Sequence, residues 1–122
     1  MAYIPTPVLP VIQASLDGTF TSPQTLSITA PLTVLYALSV NMKSAGIAAA
    51  GHTYVKTVTY TSADGTGIQM ITLILHLDRP EVVMETYPLF ALGGTPISST
   101  GTYGGGAIND AFSLSERIVQ MP

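Results

Sequence analysis

The 122-residue chain is long enough for one domain that buries roughly two-thirds of its unfolded surface, and too short for two. Charged residues make up only 9%, against about 25% in a typical soluble domain, so the surface must be built from uncharged side chains or be covered by something. Four Lys and Arg against seven Asp and Glu give a net charge of −3, which argues against nucleic acid as a partner, and the absence of Cys excludes disulfides and thiolate metal sites.

The first basic residue is Lys43, and Pro5, Pro7 and Pro10 interrupt the apolar N-terminus, so no secretory signal is expected. The longest apolar stretch, 30–40, carries Pro31, Thr33 and Ser39 and is much shorter than the roughly 20 residues of a membrane-spanning helix. The mean hydropathy of +0.44 is therefore assigned to buried strands and to contacts with other molecules.

In chain order, residues 1–10 (MAYIPTPVLP) read as an extended, polyproline-like arm, because each proline lacks an N–H and fixes φ near −65°. Exposing Tyr3, Ile4, Val8 and Leu9 together would be unfavourable, so the arm is expected to lie on a surface, its own or a neighbour's. A single β domain over 11–122 follows. Asp17-Gly18 between alternating stretches predicts a hairpin with strands near 11–16 and 19–21, and a further strand falls near 24–29. After Pro31, Leu32, Val34, Tyr36, Leu38, Val40 and Met42 share one face, the pattern of a core strand. Residues 44–51 (SAGIAAAG) suit a loop or short turn pressed against other backbone.

Residues 52–62 and 67–78, separated by Ala63-Asp64-Gly65-Thr66, predict an antiparallel hairpin. Both faces of its second strand are largely apolar, which places it in the middle of a sandwich or under a partner. Residues 81–87 read as a short strand ended by Pro88. Residues 93–106 (GGTPISSTGTYGGG) hold six of the eleven glycines and read as a Gly-rich loop that threads along another surface, with Pro96, Ile97 and Tyr103 as its contact residues. In 111–121, Ser113 and Glu116 fit a capping box, but Phe112, Leu114 and Ile118 alternate opposite Ser113 and Ser115, which favours a strand.

Candidate chemistry is sparse. His76 and Asp78 lie two apart on one strand face, as a crude metal pair would, yet charges at a strand end beside Pro80 are ordinarily solvated, and neither metal nor cofactor is expected. With only His52 and His76 as imidazole bases and no nucleophile elbow, an enzyme is disfavoured. Gly101 to Gly106 lacks the Lys-Ser or Lys-Thr of a phosphate loop. Tyr36, Tyr54, Tyr60, Tyr87 and Tyr103 could line a carbohydrate groove, although strand tyrosines more often pack across strands.

The expected architecture is all-β, a single antiparallel β-sandwich or jelly-roll-like domain with an N-terminal arm and a Gly-rich loop. In composition and layout, with its MAYIPTPVLP arm and GGTPISSTGTYGGG stretch, the chain resembles the head-decoration or cement proteins of tailed bacteriophages. That resemblance implies a non-catalytic virion subunit, made in the host cytoplasm and located on the capsid surface. It would form a dimer or trimer and clamp the major capsid protein or other virion subunits, with no nucleic acid or membrane partner. The expected interface is Tyr3, Ile4, Val8 and Leu9 on an adjacent subunit, with Pro96, Ile97 and Tyr103 adapting to a neighbouring surface. A small self-assembling coat protein is an alternative. The single-stranded RNA phage type is opposed by the scarcity of basic residues and the lack of room for paired helices after residue 106. A second alternative is a carbohydrate- or receptor-binding module of a phage tail.

Overall fold

A computed structural model describes residues 10–122; the arm residues Tyr3, Ile4, Val8 and Leu9 lie outside the described residues. Eight strands follow one another: β1 (Val11–Phe20), β2 (Thr25–Thr29), β3 (Val34–Ala45), β4 (Thr53–Thr61), β5 (Ile68–His76), β6 (Pro80–Ala91), β7 (Pro96–Gly104) and β8 (Phe112–Gln120). They form two four-stranded antiparallel sheets: sheet I in the order β1-β8-β3-β6 and sheet II in the order β2-β7-β4-β5. Consecutive strands change sheet at every connection except β4 to β5, and this wiring is that of an eight-stranded jelly roll.

The period-two patterns explain the two-layer packing. Tyr36, Leu38, Val40 and Met42 of β3 and Phe112, Leu114 and Ile118 of β8 point inward from sheet I. Tyr54 and Val58 of β4, Leu73 and Leu75 of β5 and Ile97 of β7 meet them from sheet II. Each such side chain contributes about 1.5–3 kcal/mol of burial energy. Tyr54 stacks on Phe112 across the sheets, ring centroids 3.9 Å apart, which ties β4 to β8 at one end of the sandwich.

Four expectations change. Asp17-Gly18 is no hairpin: β1 runs through it, paired with β8 from Val11↔Gln120 to Phe20↔Phe112. A two-residue hairpin turn of the Asn-Gly or Asp-Gly kind needs positive φ at both central residues, and no non-glycine residue here has one. Pro88 does not end β6, because β6 is an edge strand and a proline there can direct its missing N–H away from the ladder. The 93–106 stretch is largely a strand, β7, between β2 and β4 in sheet II, and not a loop. Its Ile97, Ser99 and Gly101 point inward, and any side chain at 101 would collide with the Tyr54 hydroxyl and the Gln24 carbonyl. Finally, β5 is an edge of sheet II and not a middle strand, so only its inner row is buried.

Candidate interaction surface

The two outer faces are built from alternate residues of the same strands and differ sharply in charge. Sheet I presents Asp17 from β1, Arg117 from β8 and Lys43 from β3, in rows set by Ser39↔Arg117, Asp17↔Ser115 and Lys43↔Ser113. The strands of sheet II contain a single ionic residue, Lys56, and it points inward. Their outer face consists instead of hydroxyl rows. Thr57, Thr59 and Thr61 of β4 lie beside Thr100 and Ser98 of β7, which lie beside Thr25 and Ser27 of β2.

At the rim of this face the outer row of β5 is apolar. Ile68 is 75%, Met70 69% and Ile74 49% exposed. On the outer face of sheet I, β6 exposes Val82, Met84 and Phe90, in register with Lys43, Asn41 and Leu35. Scattered surface apolar residues need no explanation, but a row on one strand beside an uncharged face is the composition of an interface centre.

The charge missing from the outside of sheet II is found in the interior. Lys56 Nζ lies 3.1 Å from Glu116 Oε1, with both side chains at 0% exposure, and donates to the carbonyls of Gln24 (2.9 Å) and Ser99 (3.1 Å). Ser99 Oγ donates to Glu116 Oε2. Glu116 Oε1 faces the ammonium but has no well-aligned hydrogen bond, so its contact is ionic in character. Desolvation pushes Lys56 below the ordinary lysine range, against the opposing pull of Glu116. Burial also pushes the neighbouring Tyr54 hydroxyl up to about 12. This network joins β4 and β7 of sheet II to β8 of sheet I and fixes the register of the sheets; a sandwich slipped by one residue would strand both charges. The sequence carried its signal, since Lys56 stands in the inward phase between Tyr54 and Val58, and Glu116 between Leu114 and Ile118.

The chemical candidates are tied up locally. His76 Nδ1 lies 3.1 Å from Glu81, whose carboxyl is held below the usual range chiefly by the His76 backbone N–H. Asp78 accepts from the Gly51 N–H at 2.9 Å, which lowers it likewise, so His76 and Asp78 are each bonded to a different partner. His52 pairs with Asp110 at 2.8 Å. Among the described residues no three His, Asp or Glu side chains gather in metal-binding geometry.

The expected contact residues of 93–106 separate. Pro96 is exposed on the outer face of sheet II, Ile97 is fully buried in the core, and the Tyr103 hydroxyl is spent on the Asp110 carbonyl at 2.6 Å. Tyr36 and Tyr54 are fully buried and cannot line a surface groove, whereas Tyr60 and Tyr87 are half-buried. No helix among the described residues is long and apolar enough to cross a membrane. Comparison with protein-family models, curated proteins and solved structures finds no match to this chain.

Proposed function

We propose that this protein is a non-catalytic assembly subunit, a virion structural protein that decorates a phage head by packing on the major capsid protein. The observation that carries this reading is the outer face of sheet II, which carries no Asp, Glu, Lys or Arg of its own, has its one histidine, His76, at the end of β5 against Glu81, and is rimmed by exposed Ile68, Met70 and Ile74. Covering the hydroxyl rows of such a face desolvates no charge, and they can exchange hydrogen bonds with a partner backbone. Jelly rolls also serve lectins and cupins, so the fold does not choose between functions, and the reading is drawn from the surface. A glycan-binding role has less support, because Tyr36 and Tyr54 are buried and the Tyr103 hydroxyl is bonded internally, leaving Tyr60 and Tyr87, both half-buried.

In this reading the apolar side chains Tyr3, Ile4, Val8 and Leu9 add a second contact on the shell. The test is co-sedimentation with capsid shells that lack their decoration protein. The full chain is expected to reach saturable occupancy, and a chain lacking residues 1–10 to keep its circular dichroism spectrum but fall off the shell. Undiminished occupancy after that deletion removes the arm from the account; no occupancy by the full chain on any shell removes the decoration role.

A further inference from the structure

A jelly roll has four edge strands, each with a row of backbone groups that another strand could join, and natural sheets blunt such edges with short length, proline, charge or irregular register. Three edges here are blunted. The β1 ladder is interrupted between Ile12 and Ala14 and carries Asp17. Strand β2 has five residues and lies between Pro23 and Pro31. Strand β6 contains Pro80, Glu81, Glu85 and Pro88. Strand β5 lacks these along most of its length: its nine residues, IQMITLILH, hold no proline, glycine, Asp, Glu, Lys or Arg, their one histidine stands at the end, and they pair with β4 in unbroken register.

The bonds Leu77 N–H to His52 O and Ser62 N–H to Gly67 O set the parity of the β4–β5 ladder. Odd-numbered residues face β4, and the N–H and C=O groups of Ile68, Met70, Thr72 and Ile74 face outward along an edge that pairs with no other strand among the described residues. At His76 the edge closes, because the Glu81 carboxylate takes that N–H at 3.0 Å.

We propose that this edge pairs antiparallel with β5 of a second copy of the chain, joining two copies of sheet II into one continuous sheet. The inference rests on the reading of the protein as an assembly subunit and names its self-contact. Using all four free residues places Ile71 on the two-fold axis and sets Ile68 opposite Ile74 of the second copy, so apolar side chains line the seam. Residues on a two-fold axis meet their own kind, and β5 has no charge there to repel. A nine-residue strand is about 30 Å long, and the side of a sandwich with sheets about 10 Å apart and an outer side-chain layer on each is about 20 Å deep. The strip is on the order of 600 Å² per copy, close to the roughly 800 Å² of a standard stable interface.

The test is light scattering of the purified full chain and two variants. Wild type is expected at twice the 12.8 kDa chain mass. Thr72→Pro removes an N–H that faces the free edge, so the β4–β5 ladder should survive, the circular dichroism spectrum should be retained, and the mass should halve. Met70→Lys, at an exposed position that leaves the backbone unchanged, should weaken the dimer at least tenfold and decides the matter if the proline variant misfolds. Because the chain has no Cys, Ile71→Cys adds an independent readout: at a non-hydrogen-bonded pair, with Cα atoms about 4.5 Å apart, it should oxidise to a covalent dimer. A monomeric wild type at high micromolar concentration, or a dimer indifferent to both variants, overturns the pairing. If that monomer still coats shells, only the self-contact falls, and loss of coating in Thr72→Pro would assign the edge to a strand of the shell protein. If it neither dimerises nor binds shells, the assembly reading falls with it.

Discussion

The two sheets solve the placement of charge in opposite ways. Sheet I keeps Asp17, Lys43 and Arg117 on its outside, where water solvates them, whereas sheet II keeps its only charge inside and shows water a face of threonine, serine and isoleucine. Burying Lys56 against Glu116 costs desolvation that the pair recovers only through good geometry and the carbonyls of Gln24 and Ser99. The comparison teaches that the charge deficit is local. One face is emptied of charge, and an emptied face is suited to being covered.

The largest expected effect lies inside sheet II. Lys56→Met leaves Glu116 buried without a cation and should cost about 3–5 kcal/mol in urea unfolding. The double variant Lys56→Met with Glu116→Leu should return to within about 1 kcal/mol of wild type or exceed it. If the single variant were as stable as wild type, the interior pair would not be the register device described here.

Next comes Tyr54. Its hydroxyl ionises near 12 in the fold and near 10.0 in the unfolded chain, so the folded state holds the proton longer between those values. Stability should therefore fall as pH rises from 10 toward 12, by up to about 2–3 kcal/mol, and Tyr54→Phe should flatten that slope. A pH-independent unfolding free energy over this window in the wild type would contradict the buried environment of Tyr54.

The smallest effect on stability separates the faces most cleanly. Thr100→Lys on sheet II and Ser115→Lys on sheet I both sit at exposed positions and should each change stability by less than about 0.5 kcal/mol. Shell binding should weaken at least about tenfold for Thr100→Lys alone, since a lysine there would be desolvated without a partner. Equal losses for both variants would erase the distinction between the faces.

Much of the fold could be read from period-two alternation: β3 and the β4–β5 hairpin announce themselves, the latter because it is the only pair of consecutive strands that are also sheet neighbours, while β8 was favoured over a capped helix by the same alternation. What escaped was non-local. Asp17-Gly18 looks like a turn until β8 supplies a partner across its whole length. Strand β7 hid behind its glycines, yet Gly101 is there because the Tyr54 hydroxyl and Gln24 carbonyl occupy the space of a side chain. The two apolar faces of β5 were visible, but its edge position depends on strand order, which pairs residues far apart in sequence. The candidate surface was legible as a shortage of charge and not as a location; only the registers of β2, β7, β4 and β5 gather their threonines onto one face.

Thiol labelling tests the covered-face account most directly, because the chain has no cysteine of its own. Thr100→Cys and Ser115→Cys should react at similar rates in the free protein. Once the protein is bound to shells, labelling at 100 should slow at least tenfold while labelling at 115 proceeds unchanged. Equal reactivity of the two positions in the bound state would contradict the account.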